Sequence, residues 1–198
     1  SSTGSYNTSV GVTSLLNNTT GERNTAIGRT AMLYNITGGY NTALGMFSLR
    51  DNVGGFYNVA LGYSALQSNT TSGNTAVGFE AAYSNTTGGG LVVLGYQAGY
   101  NNTTGDSNTF IGSSVGYNNT TGSQNSVVGQ NSLNLASFSS RCSILGFNQQ
   151  SNGYNEVGMI GVNDTASANN QMRFGSATQN YGAVTAGANV STQYWNVF

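Results

Sequence analysis

Proline, histidine and lysine are all missing from this 198-residue chain, and charged side chains make up only 6% of it. The five cations are Arg23, Arg29, Arg50, Arg141 and Arg173, far apart in sequence. Nucleic-acid binding needs clustered basic groups to neutralise phosphates, so that class is not expected. A net charge of −1 also removes long-range steering of a charged partner. Cys142 is the single cysteine, which excludes intrachain disulfides and cysteine-rich metal sites. No apolar run approaches the length of a membrane helix, and no charged-then-apolar stretch at the N-terminus resembles a signal peptide. The six acids, Glu22, Asp51, Glu80, Asp106, Glu156 and Asp164, form no recurring hydrolase motif. The chain reads as non-enzymatic, without metal or cofactor.

Low charge alone would fit disorder, but disordered chains lack aliphatics on a fixed period, and here they recur. A five-residue unit appears as Asn7-Thr8-Ser9-Val10-Gly11, Asn24-Thr25-Ala26-Ile27-Gly28 and Asn41-Thr42-Ala43-Leu44-Gly45. Further copies end at Gly62, Gly78, Gly95, Gly112, Gly129 and Gly146, and looser ones at Gly161 and Gly175. The step is 17 residues, except for 16 before Gly78 and then 15 and 14 at the end. Locked to this unit are a small residue and often Leu or Met after the glycine (Ala31-Met32, Ser48-Leu49, Ala65-Leu66), then an Asn-Thr-Thr-Gly turn, as at Asn18 to Gly21 and Asn85 to Gly88.

About 17 residues are too few for a helical hairpin, and a glycine in each unit would cost a helix roughly 1 kcal/mol each. One turn of a parallel β-solenoid is the natural unit. The expected fold is therefore all-β, a solenoid of about eleven coils of 14 to 17 residues over 1–175, followed by a non-repetitive β tip or junction over 176–198. Alternation places Thr25 and Ile27 on one face of the strand and Ala26 on the other. The pre-glycine row (Val10, Ile27, Leu44 and successors) is expected to be the interior. The opposite row, Ala26, Ala43, Ala60, Ala76, Val93, Phe110, Val127, Ile144 and Met159, is apolar too. A strand apolar on both faces is buried on both, so the second face is expected to meet another subunit.

The Asn-Thr-Ala-aliphatic-Gly unit followed by a small residue and Leu resembles the head repeat of trimeric autotransporter adhesins, the YadA-like left-handed β-roll. With its Asn-Thr-Thr-Gly turns the sequence is also similar to trimeric phage tail fibres and to fibre-tip proteins of predatory bacteria. The departures are Leu91 and Cys142 in place of the motif asparagine and a period longer than that of the adhesin heads. The resemblance implies a homotrimer outside the cell, on a virion tail fibre or a bacterial surface, attaching to host or prey through a glycan or surface receptor. A purely structural shaft is the alternative. Because Ser2-Thr3-Gly4 stands where Thr-Thr-Gly belongs, the chain is expected to be the distal part of a longer fibre. By the same resemblance, Phe198 is an expected cleavage point before a chaperone domain.

The sequons at Asn18, Asn69, Asn85, Asn102 and Asn119 match glycosylation acceptors, but a turn needing left-handed-tolerant Asn and Gly explains them without glycans. Cys142 is expected as a small buried thiol. Tyr63, Phe79 and Tyr96, and separately Tyr83, Tyr100 and Tyr117, are expected to stack as ladders. The terminal group Tyr181, Tyr194, Trp195 and Phe198, with Gln193, Asn196 and Arg173, combines aromatic faces with hydrogen-bonding groups suited to sugars. It is the candidate ligand site, with a hydrophobic end plug as the competing reading. Ice binding is a third functional class, because Thr8, Thr25, Thr42, Thr75 and Thr109 recur. Val59 and Leu91-Val92 interrupt that row, and its sharing of a face with Ile27 predicts burial.

Overall fold

The computed structural model describes residues 3–133, 138–176 and 179–185. They form about ten turns of parallel β-solenoid, with no helix among the described residues. One strand per coil builds a single sheet whose spatial order is its chain order: β1 Thr8–Val10, β2 Thr25–Ile27, β3 Thr42–Leu44, β4 Val59–Leu61, β5 Thr75–Val77, β6 Val92–Leu94, β7 Thr109–Ile111, β8 Ser126–Gln130, β9 Ser143–Phe147, β10 Gly158–Val162, β11 Gln171–Ser176 and β12 Gln179–Thr185. The repeat sets the register directly. Ala26 lies against Ala43, Ala43 against Ala60, and Gly129 against Gly146. The short steps keep the same alignment, with Gly161 beside Gly175. Only β12 breaks the pattern, pairing antiparallel with β11.

Each coil turns where its backbone meets the next one. Gly11 has φ +129°, and a Cβ there would sit 2.6 Å from the carbonyl oxygen of Gly28, the corner glycine one coil on. Side chains are excluded from this corner by the stacking itself.

The strand faces are reversed from the sequence expectation. Ala26, Ala43, Ala60, Ala76, Val93, Phe110, Val127 and Met159 are fully buried, and Ile144 nearly so. The pre-glycine row points outward: Val10 is 56% exposed, Leu44 48% and Leu145 52%. The physical reason is the width of the coil. In the first coils the opposite wall already fills the interior with Met32, Leu49 and Leu66, which leaves room there only for alanine on the strand side; where that wall thins to Gly116, the strand side supplies Phe110. Thr25, Thr42 and Thr75 share the outward face and are half-buried rather than buried.

Two asparagine ladders hold the coils together. In the turn ladder Asn35 Nδ2 donates to Asn18 Oδ1 (2.9 Å), Asn52 to Asn35 (3.0 Å), Asn85 to Asn69 (2.8 Å), Asn102 to Asn85 (2.9 Å) and Asn119 to Asn102 (2.9 Å). Each amide also donates within its own turn, as Asn85 does to the Gly88 carbonyl at 2.9 Å. In the strand ladder the motif asparagine accepts the next coil's backbone N–H: Asn24 Oδ1 from Asn41 N (3.0 Å) and Asn41 Oδ1 from Asn58 N (2.9 Å). Its Nδ2 clips the far turn, Asn24 to the Gly38 carbonyl at 2.8 Å. Burial makes these bonds costly to leave unmade.

The turn asparagines are thus selected as rungs, not for left-handed backbone. Neither they nor Gly38 and Gly88 are among the left-handed residues, whereas Tyr6, Met32, Leu49 and Leu66 are. Glycine follows because a Cβ on Gly88 would lie 2.6 Å from Asn85 Oδ1 and 2.5 Å from the Gly105 carbonyl oxygen.

Candidate binding surfaces

Of the candidate site at the C-terminal end, Gln193, Tyr194, Trp195, Asn196 and Phe198 lie outside the described residues. Tyr181 is on β12, in register with Phe174 of β11. Arg173, also on β11, is engaged: Nε and Nη2 each donate to Asp164 at 2.7 Å in a bidentate pair that is largely shielded from water. Burial alone would push the Asp164 carboxyl up. The Arg173 hydrogen bonds, the Thr165 N–H and the guanidinium charge outweigh it and hold the carboxyl below its usual value. An open depression of about 390 Å³ is lined by Glu156, Gly158, Asn170, Gln171 and Met172, with neither Arg173 nor Asp164 in its lining.

Both expected aromatic ladders form. Tyr63, Phe79 and Tyr96 stack at 5.2 and 5.4 Å, and Tyr83, Tyr100 and Tyr117 at 5.1 Å each. Burial, followed by the charge of Glu80, raises the Tyr100 hydroxyl above its ordinary pKa. Gln67 and Arg50 extend the second ladder, the Gln67 amide lying 3.2 Å from the Tyr83 hydroxyl. Arg50 closes on Asp51 at 2.8 Å, and that hydrogen bond raises its pKa.

A third column was not anticipated. It occupies the left-handed position just before the motif asparagine: the Arg23 guanidinium lies over Tyr6 at 5.1 Å and over Tyr40 at 5.2 Å, and Tyr40 stacks on Tyr57 at 5.2 Å. Its signal was present in the sequence as a fixed offset, Tyr6, Arg23, Tyr40 and Tyr57, each one residue before Asn. The arginine in the series disguised it.

The remaining acids are engaged locally. Glu22 pairs with Arg23 at 3.2 Å, Glu156 with Arg141 at 2.7 Å, Glu80 accepts from Gln97 at 2.8 Å, and Asp106 accepts from Gly89 N at 2.8 Å. Among the described residues no group of His, Cys, Asp or Glu is arranged to hold a metal, and no helix is long and apolar enough to cross a membrane. Cys142 is buried, and burial raises its thiol pKa. Asn69, Asn85, Asn102 and Asn119 are buried rungs, so their sequons belong to the turn stack, without the left-handed backbone expected of them.

The outer face of the sheet is an unpartnered apolar surface. Val10, Ile27, Leu44, Val128, Leu145 and Ile160 form an exposed aliphatic row along it, and Thr8, Thr25, Thr42, Thr75 and Thr109 run parallel two residues earlier. Compared with known proteins, the chain matches no family model, no curated protein and no solved structure. The fold itself defines the class: a β-solenoid repeat protein.

Proposed function

We propose that the chain is part of an extracellular fibre, assembled as a homotrimer through the outer face of its sheet, that attaches to a host or prey cell surface by binding a glycan or surface receptor. The observation that carries this reading is the uncharged aliphatic row, which a lone solenoid leaves in water at Val10, Ile27 and Leu44 and again at Val128, Leu145 and Ile160, with half-buried members in the coils between. An exposed apolar surface of this extent is characteristic of an interaction site. Three copies, rather than two, follow from the resemblance of the repeat to trimeric adhesin heads and tail fibres. Ten strand spacings make a rod roughly 50 Å long, a shape suited to display or spacing.

Sedimentation or light scattering should give three times the chain mass, and Leu44→Lys with Leu145→Lys should yield monomers of unchanged β content. A monomeric wild type refutes the assembly. Binding to candidate cells and a glycan array tests attachment, and silence on all of them leaves the structural shaft.

A second reading has its own observation. The threonine row faces outward beside the aliphatics, as an ice-ordering surface requires. Thermal hysteresis in the wild type, lost on Thr42→Lys, would favour it over attachment.

A further inference from the structure

The Tyr6, Arg23, Tyr40 and Tyr57 column ends abruptly. Tyr57 covers Tyr40 with one ring face, and the next two coils put glycine at the column position, Gly73 and Gly90. A Cβ on Gly73 would meet nothing within 4 Å. Tyr57 is accordingly 64% exposed, against 47% for Tyr40 inside the column. The neighbouring row is small as well, with Ser72 and Gly89. Phe56 leans the other way: a Cβ on Gly39, one coil back, would lie 3.2 Å from its Cε1. Side chains resume one coil further on with Asp106 and Ser107, both exposed. The result is a notch between coils three strand spacings, about 14 Å, apart, with an aromatic face on one side and, reaching back over the floor from the other, a carboxylate beside a hydroxyl.

Its parts are held in place. Gly73 N donates to the Phe56 carbonyl at 2.9 Å, and Phe56 N donates to Ser72 Oγ at 2.9 Å. Gly89 N donates to Asp106 Oδ1 at 2.8 Å, which fixes the carboxylate over the floor. Asp106 Oδ2 has no hydrogen-bond donor among the described residues. An open aromatic face opposite an acceptor with spare lone pairs, across a floor of Gly73, Gly89, Gly90 and the small Ser72, suits a flat ring that is apolar on one face and carries hydroxyls on its rim.

We propose that this notch binds one pyranose residue of a glycan, its C–H face on the free side of Tyr57 and a hydroxyl pair donating to Asp106. This rests on the attachment reading and gives it a ligand class and a place, in the repeats rather than at the C-terminal end. The tyrosines of the column take φ of 58° to 61° and Gly73 takes 76°, so Gly73→Tyr extends the column and covers Tyr57 without a change of backbone.

The experiment is saturation-transfer NMR of the assembled protein with a panel of methyl pyranosides (glucoside, galactoside, mannoside and N-acetylglucosaminide), run in parallel with whole-cell attachment. At least one pyranoside should bind, with affinity falling about tenfold or more in Tyr57→Ala, Asp106→Ala and Gly73→Tyr and unchanged in Tyr6→Ala. No binding by any pyranoside, or binding unaltered in Gly73→Tyr with its circular dichroism intact, overturns the notch. Cell attachment that persists in those cases leaves the attachment reading standing. Pyranoside binding without attachment to any cell supports the notch and overturns that reading instead.

Discussion

Phe110 occupies the space that Gly116 vacates: a Cβ on Gly116 would lie 2.8 Å from Phe110 Cε2 and Cζ. Two coils of the same core solve the packing in the opposite sense, pairing Ala43 with Leu49 and Ala60 with Leu66. In these three coils a large residue on one wall is matched by a small one on the other. Phe110→Ala should therefore destabilise by about 3–5 kcal/mol through the cavity it leaves, and Gly116→Leu alone should clash. Combined, they rebuild the Ala43/Leu49 arrangement, because Leu49 holds φ 47° where Gly116 holds 62°. Urea denaturation should show the double variant recovering most of the single losses. Additive losses would refute this packing account.

The turn ladder concentrates buried hydrogen bonds in one side chain. Asn85 donates to Asn69 and to the Gly88 carbonyl and accepts from Asn102. Asn85→Leu should cost on the order of 3 kcal/mol, since each lost bond contributes about 1 kcal/mol and partners left buried add to it. Asn17→Ala removes a bond of similar length, 2.9 Å to the Leu33 carbonyl, but at an exposed site, and should change little. Thermal melts of the two variants give the comparison. Because each coil leans chiefly on its neighbours, hydrogen exchange should rise first in the coils next to Asn85.

Asp164 supplies a pH dependence of definite sign. Its folded-state pKa is lowered, so its pairing with Arg173 stabilises the fold above the unfolded carboxyl value of about 3.9. That contribution is lost as pH falls through the lower folded value. Asp164→Asn should melt earlier than wild type at neutral pH, and the gap should narrow steadily below about pH 4. A gap that stays constant into acid would show that the ion pair contributes nothing.

Cys142 should be inert. Burial raises its pKa, and its sulfur faces the carbonyls of Ser140 at 3.6 Å and Tyr154 at 3.5 Å. Reaction with a chromogenic disulfide reagent should be slow at neutral pH and become fast only in denaturant. Rapid labelling of the native protein would place the thiol at the surface.

The spacing of the corner glycines anticipated the strand register, including the 16-, 15- and 14-residue steps, because in-register stacking makes sequence period and spatial neighbour the same thing. The inward face was not legible. Both rows of Thr25-Ala26-Ile27 are acceptable inside a core, and the choice is made by Met32 and its successors on the far wall, which a single strand does not reveal. The asparagines announced a turn, but a rung exists only between coils, so their buried role emerged with the stack. The Tyr6-to-Tyr57 column and the notch beyond it needed the same lateral view, since Gly73 and Gly90 acquire meaning only beside Tyr57.

In-register stacking also bears on how such a gene can change. An added coil that repeats its neighbour meets corner glycine with corner glycine and rung with rung, so the junctions it creates duplicate ones already present. Duplication or loss of a 17-codon unit adjusts the reach of the rod by one strand spacing while leaving its surface chemistry in phase. Length becomes a quantity that recombination can tune independently of the surface each coil presents.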